Sequence, residues 1–387
     1  MSKHPTREFL IDVSRLIWRS WRGRPATGID RVCLAYLERF GSRSQAVIQR
    51  RGRSFVLTPA WSDRLRRQLL RRSGTPKARL LRILVLALAT ARRSPPREGM
   101  TYLNVGHTGL DEPTLAGWIA RMEVRAVYLI HDLIPLTHPE YCRSGEAAKH
   151  QRRMRNALAS ASGIIGNSGY TLDELARFAG SQGMVMPPAV MAWLGIEPMH
   201  AQGVRPAEVA AYFITVGTIE ARKNHLLLLD VWERLVESMD ERAPELLIVG
   251  GRGWEAEEAL RRLDRLGVLD RHVREINACN DCELEGWIRG ARALLMPSFV
   301  EGFGLPVMEA LSLGTPVIAS GLPVYREIVG DVPTYVDPTD TAAWEDAVRS
   351  FCDDGPERIR QLDRMATYRA PSWEEHFGII EPWLARL

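Results

Sequence analysis

Two glutamates, Glu301 and Glu309, are separated by seven residues inside the string Pro297-Ser-Phe-Val-Glu301-Gly-Phe-Gly-Leu-Pro-Val-Met-Glu309-Ala-Leu-Ser-Leu-Gly-Thr-Pro-Val-Ile-Ala319. An apolar run ends at Met296, Gly302 and Gly304 follow in the next stretch, and Pro306 sits where a first helical turn accepts a residue without an N–H. Strand, loop and helix are expected in that order. Glycines let the backbone approach a ligand closely, and free N–H groups at the helix start attract an anion such as a diphosphate. Glu309 then stands about one turn inside the helix, where its carboxylate can accept hydrogen bonds from a ribose diol. By themselves, a loop with two glycines also suits an ordinary helix start, and two spaced glutamates suit a solvated face.

Two further strings have the same form. Val216-Gly217-Thr218-Ile-Glu-Ala-Arg222-Lys223-Asn224 follows an apolar run, and adjacent cations after a strand can neutralise a departing diphosphate. The bland reading of an Arg-Lys pair is surface charge. In Tyr128-Leu-Ile-His131-Asp132-Leu-Ile-Pro-Leu, the histidine emerges at a strand end, where a side chain can reach a ligand cleft, although a lone histidine is more often structural. Gly28, in Thr27-Gly-Ile-Asp30, lies in a loop between a first strand and a first helix.

Together these strings resemble the retaining family-4 glycosyltransferases of GT-B fold, whose signature is two glutamates seven residues apart around a Gly-Phe-Gly-Leu core. The resemblance covers nearly the full chain. It implies that Glu301 contacts sugar hydroxyls, that Gly302, Phe303, Gly304 and Leu305 bring backbone amides to the sugar and diphosphate, and that Glu309 binds the nucleotide ribose. Gly217, Thr218, Arg222 and Lys223 become the diphosphate clamp. Many members carry arginine directly after the glycine, where this chain has Thr218, so Arg222 is the alternative source of that charge. His131 becomes a hydrogen-bonding or transition-state-stabilising residue, with Asp132 beside it, and Gly28 the glycine that approaches the diphosphate from the acceptor side. The base is read near Gly250-Gly251 and along Val273 to Asn277, including Ile276; Glu275 and Asn277 replace the more typical aromatic and glycine.

The implied reaction moves a hexose from a nucleoside diphosphate sugar to an acceptor hydroxyl with retention, using neither cofactor nor bound metal, and no Asp-x-Asp metal motif is present. Glu301 suits sugar binding better than general-base catalysis. His-Asp-Leu-Ile-Pro-Leu and Arg-Lys-Asn look most like bacterial polysaccharide mannosyltransferases, which implies GDP-mannose as donor and a lipid-linked or lipopolysaccharide oligosaccharide as acceptor. UDP-glucose and UDP-N-acetylglucosamine are the alternative donors. An epimerase or glycan phosphorylase of the same fold is a rival, but the pyridoxal-phosphate lysine context and greater length of a phosphorylase are missing.

These residues must be positioned by alternating strands and helices. Apolar runs at Phe9–Val13, Ala46–Ile48, Thr101–Val105, Ala126–Ile130 and Gly163–Gly166 form one series of expected strands. Tyr212–Val216, Glu245–Val249, Ala293–Met296 and Pro316–Ala319 form a second. The expected fold class is α/β: GT-B, two Rossmann-like parallel-sheet domains facing across a cleft. The N-terminal, acceptor-binding domain spans 1–195 and the nucleotide-sugar domain 206–370, with a linker between about Met186 and Ala207 and a terminal helix near 371–387 packing back on the first.

Charge divides the halves: residues 1–195 carry 31 Lys and Arg against 14 Asp and Glu, and the remainder 20 against 33. Such asymmetry points the basic half towards something anionic. Between Asp63 and Arg97 stand eleven Lys and Arg and one acidic residue around the apolar run Leu80–Ala89. That run is too short to span a bilayer; it suits either a helix in an anionic headgroup layer or a buried core helix with a basic rim. The segment contains no aromatic residue, which disfavours nucleic acid, since stacking on bases needs one. Five cysteines form no disulfide framework, and Cys279-Asn-Asp-Cys282 lacks a second ligand pair for zinc. The N-terminus shows no signal-peptide pattern, so a cytoplasmic protein, peripheral on the inner membrane face, is expected.

Overall fold

A computed structural model describes residues 7–22, 28–71, 77–91, 98–197 and 211–387. Thr27, the first six residues, parts of the basic segment (72–76 and 92–97) and 198–207 of the expected linker lie outside the described residues. The chain divides into two units: Met1–Leu133, Ala147–Leu194 and His376–Leu387 form one, Ile134–Glu146 and Gly195–Glu375 the other.

The first unit holds β1 (Phe9–Asp12), β2 (Ser44–Arg50), β3 (Arg53–Val56), β4 (Thr101–Asn104), β5 (Arg125–Ile130), β6 (Gly163–Gly166) and β7 (Ala189–Met191), in the spatial order β3-β2-β1-β4-β5-β6-β7. Every pair is parallel except β2 with β3. All residues of β1, β4 and β6 are buried, which is why these strands read as unbroken apolar runs rather than alternating ones. From His376 onward the helix Trp373–Leu384 completes this unit: the His376 ring meets the Tyr36 hydroxyl at 2.8 Å through Nε2, and Phe377 packs edge-on against Tyr36 and Phe40.

The second unit holds β8 (Tyr212–Val216), β9 (Glu245–Val249), β10 (Val273–Ile276), β11 (Leu294–Met296), β12 (Val317–Ser320) and β13 (Thr334–Val336), all parallel, in the order β10-β9-β8-β11-β12-β13. Trp232 and Trp344 are fully buried in its core with Phe213, Ile248 and Phe351, and the Trp232 indole N–H donates to the Pro244 carbonyl at 2.8 Å. In both sheets strand order reverses beside the first strand, β1 or β8. Open α/β sheets bind ligands outside the carboxyl ends of strands at such switch points.

Three edge strands escape a periodicity reading because they are short. β3 follows β2 through Arg51 and Gly52, both at positive φ (49° and 68°), the backbone of a two-residue hairpin. β7 occupies part of the expected linker, pairing Ala189 with Ile164, and β13 has three half-buried residues. The basic segment folds as helices Pro59–Leu69 and Lys77–Thr90 packed together. The second is neither wholly core nor wholly surface: it buries Leu80, Ile83 and Ala87 but leaves Leu81, Val85 and Leu86 exposed at 48%, 58% and 43%.

Candidate functional site

In the second unit, the candidate residues gather at the carboxyl edge of the sheet. β8 ends at Val216, the chain passes Gly217 and Thr218, and a 3-10 turn over Ala221–Lys223 leads into helix His225–Met239. β11 ends at Met296, and its loop is tied to that turn by the Phe299 N–H donating to the Arg222 carbonyl at 2.8 Å. The loop tie brings Glu301 against both cations. Arg222 donates to one carboxylate oxygen at 2.6 Å, while the Lys223 ammonium and the Ser298 hydroxyl, at 2.7 Å, share the other. Arg222 also pairs with Glu220 at 2.6 Å and donates to the Val300 carbonyl.

The electrostatics follow from this packing. Burial pushes the Glu301 carboxyl upward, but Arg222, Lys223 and the hydrogen bonds outweigh it and hold the pKa down to about 2. Glu301 is therefore a carboxylate with both oxygens engaged, a poor proton acceptor and a firm orienter of two cations. Burial draws the Lys223 ammonium below the ordinary lysine value against the pull of Glu301. Held this way, the cations are positioned before any ligand arrives.

Two glycines explain the local shape. Gly304 caps helix Leu305–Ser312 at φ 99°, and a Cβ there would lie 2.3 Å from the Tyr325 ring. A Cβ on Gly250 would lie 1.9 Å from the Gly217 carbonyl oxygen, so the ends of β8 and β9 touch backbone to backbone. The Gly217 N–H donates to the Val249 carbonyl and the Gly250 N–H to that of Ile276, linking the ends of β8, β9 and β10. Phe303 is buried, Gly302 half-buried, and Glu309 is buried in the second turn of its helix. Thr218 packs its methyl toward Gly253 and adds no charge, so the charge set against Glu301 comes from Arg222 and Lys223. Glu275 is engaged by Arg252 through two bonds of 3.0 and 2.7 Å, while Asn277 is exposed.

In the first unit, His131 sits buried at the end of β5, and its Nε2 lies 2.8 Å from the Val105 carbonyl. His107, at φ 58° beyond β4, places its Nε2 2.8 Å from the Leu129 carbonyl. Each histidine thus reaches back to the other's strand, with ring centroids 5.0 Å apart. A carbonyl only accepts, so both Nε2 atoms carry protons and each Nδ1 keeps its lone pair. Burial lowers the pKa of His131 to about 4 and that of His107 well below its ordinary value. His131 is consequently a neutral acceptor at pH 7, which narrows the role expected for it. Asp132 lends its carbonyl to His150 at 3.2 Å, and Gly28 is the exposed first residue of helix Gly28–Phe40.

Sequence reading missed His107, Ser298 and His225. His107 follows the same strand-end pattern as His131, which was the available signal. His225 is buried with no hydrogen-bond partner for either ring nitrogen, and burial lowers its pKa to about 3. Cys279 and Cys282 flank Asn280, which forms a capping box with Glu283 at the start of helix Asp281–Gly290, and no metal-binding cluster occurs among the described residues.

Residues 200–379 match the family model described as Glycosyl transferases group 1. O-antigen chain mannosyltransferase B of Escherichia coli is 30% identical over 258 residues, covering 65% of this chain and 67% of that protein. Serotype-specific mannosyltransferase WbdA of Escherichia coli is 29% identical over 226 residues, 54% of this chain but only 28% of that one. Among solved structures, Anabaena HepE in complex with UDP and glucose superposes with a TM-score of 0.68 at 15% identity, covering 98% of this chain and 100% of that one. That likeness establishes the fold, GT-B with two Rossmann-like units.

Proposed function

Because the chain belongs to the group 1 glycosyltransferases, we propose that it transfers mannose from GDP-mannose to a hydroxyl of a lipid-linked or lipopolysaccharide-type oligosaccharide. The observation that carries the donor half is the Arg222–Lys223–Glu301 cluster at the carboxyl edge of β8 and β11, beside the N-terminus of helix Leu305–Ser312. The names of the relatives support mannose and an O-antigen type of acceptor.

In this reading the bond between the sugar C1 and the diphosphate oxygen breaks as the acceptor oxygen bonds to C1 from the same face and its hydroxyl proton passes to the departing diphosphate oxygen, with retention, in the manner of family 4. Arg222 and Lys223 neutralise the leaving diphosphate, Glu301 holds them and meets sugar hydroxyls, and Glu309 takes the ribose. Gly302 to Leu305 and Gly217 approach as backbone, Gly250 and Ile276 border the base, and Gly28 approaches the diphosphate. His131 accepts a hydrogen bond from a sugar hydroxyl through Nδ1. No cofactor or metal is required, because cations and helix N–H groups stabilise the diphosphate. The protein would work at the inner face of an anionic membrane.

Incubation with GDP-mannose, UDP-glucose or UDP-N-acetylglucosamine and a lipid-linked acceptor pool tests this, with the product anomer read by NMR. Transfer from GDP-mannose with the donor's anomeric configuration kept is the expected result. Turnover of a UDP-sugar alone would remove mannose from the reading, and an inverted product would remove retention.

A further inference from the structure

Tyr325 lies on helix Pro323–Val329, which follows β12, and is only 1% exposed. Its ring packs against the turn that starts helix Leu305–Ser312: a Cβ on Gly304 would lie 2.3 Å from Cε1 and 3.4 Å from Cζ. Glu301, Arg222 and the Ser298 hydroxyl surround its hydroxyl, yet none forms a hydrogen bond with it of ordinary length and angle. A hydroxyl buried without a partner costs free energy that a phenylalanine at the same place would not incur. Packing on Gly304 needs the ring alone. Ser320, the last residue of β12, is also buried with its hydroxyl unpaired, so two such groups stand at this carboxyl edge.

Unpaired buried groups beside a charged cluster point to a second arrangement in which they are paired. The contacts of Glu301 show what would change. One of its oxygens accepts from Lys223 and Ser298, and the other from Arg222. A diphosphate carries more negative charge than one carboxylate and competes for the two cations, so each bond turned to it is one that Glu301 loses. Glu301 is buried and cannot take the replacement from bulk water. We infer that Tyr325 is a positioning residue: when Arg222 and Lys223 turn to the diphosphate, its hydroxyl donates into the Ser298–Glu301 pair and keeps that carboxylate charged and oriented. The inference rests on the reading that this edge binds a nucleoside diphosphate sugar, and adds the group that holds Glu301 once its cations are engaged.

Calorimetric titration of the full chain with inorganic diphosphate and with GDP-mannose tests this. Tyr325→Phe is expected to raise both dissociation constants about tenfold, the size of one hydrogen bond to a charged group, with the melting temperature of the unliganded chain unchanged or higher. Ser298→Ala completes a double-mutant cycle. Its effect should add to that of Tyr325→Phe in the unliganded melting temperature and fail to add in the titrations, whereas a purely structural hydroxyl would couple in both. Tyr335→Phe, which removes a hydroxyl donating to the Gly330 carbonyl at 2.6 Å, should titrate as wild type. Unchanged dissociation constants in Tyr325→Phe, an equal loss in Tyr335→Phe, or a lower unliganded melting temperature in Tyr325→Phe overturns the role of Tyr325 and leaves the donor site standing. Wild-type binding of diphosphate but not of GDP-mannose, with the tenfold loss in Tyr325→Phe, upholds Tyr325 and removes GDP-mannose from the donor reading. Binding of neither overturns both.

Discussion

At the scale of single residues, the cluster around Glu301 makes two demands of any substitution. Removing one partner of a buried ion pair leaves an uncompensated charge and typically costs about 3–5 kcal/mol. Glu301→Gln should therefore lower the melting temperature as well as transfer, because Lys223 and Arg222 would face each other without their carboxylate. The pH dependence has a definite sign. With the folded pKa held to about 2 against an ordinary value of 4.5, the carboxylate's contribution is complete above about pH 4.5 and is lost as pH falls towards 2. The stability gap between wild type and Glu301→Gln should narrow over that window; a gap independent of pH would contradict the ion-pair account. The histidine pair allows a second test. Nitrogen-15 NMR of the His131 ring should show the Nε2–H tautomer throughout pH 5–8, and a titration midpoint near 6.5 would show that the clasp with Val105 and Leu129 does not hold in solution.

At the scale of elements, what matters is how strand ends approach and where helices begin. Gly250 and Gly251 are adjacent and look equivalent in the sequence, yet a Cβ on Gly250 meets the Gly217 carbonyl at 1.9 Å and one on Gly251 meets nothing within 4 Å. Gly250→Ala should separate the ends of β8 and β9 and weaken donor binding, with thermal unfolding lowered by an overpacking cost of about 1–3 kcal/mol. Gly251→Ala should stay within about 0.5 kcal/mol of wild type. Equal effects of the two on calorimetric stability and donor titration would refute the close-approach argument. The strand-loop-helix order around Glu301 was legible because each part has a local cause: an apolar run, glycines, then a proline at the helix start. The tie from Phe299 to Arg222 was not, because it joins loops 77 residues apart in the chain, Phe299 and Arg222, through backbone groups that carry no residue signature.

At the scale of the whole molecule, buried neutral histidines set the acid limit. His107, His131 and His376 lie in the first unit and His225 in the second, and burial lowers the pKa of all four. In an unfolded chain these rings protonate below about pH 6.5, while folded they remain neutral until well below that. Stability they contribute is complete above pH 6.5 and declines as pH falls towards 4, with up to about 1.4 kcal/mol per pH unit for each ring. Hydrogen exchange read by mass spectrometry from pH 7 to 5 should therefore show stability falling about three times as steeply in the first unit as in the second. Equal slopes would mean that the histidines are hydrated or paired in solution.

The amino-acid sequence by itself determined the alternating architecture, both strand series, the loop around Glu301 and the family, since all of these are written in local runs and spacings that neighbouring residues enforce. It also determined that residues 63–97 are basic and apolar together. Only the tertiary structure decided that Glu301 clamps Arg222 and Lys223, that Glu275 is bound by Arg252, that His107 and His131 exchange carbonyls, and that helix Lys77–Thr90 buries one face and shows the other. The physical reason is common to these four: a side chain's charge, tautomer or exposure depends on which distant backbone or carboxylate folding places against it, and residue type alone does not encode that partner.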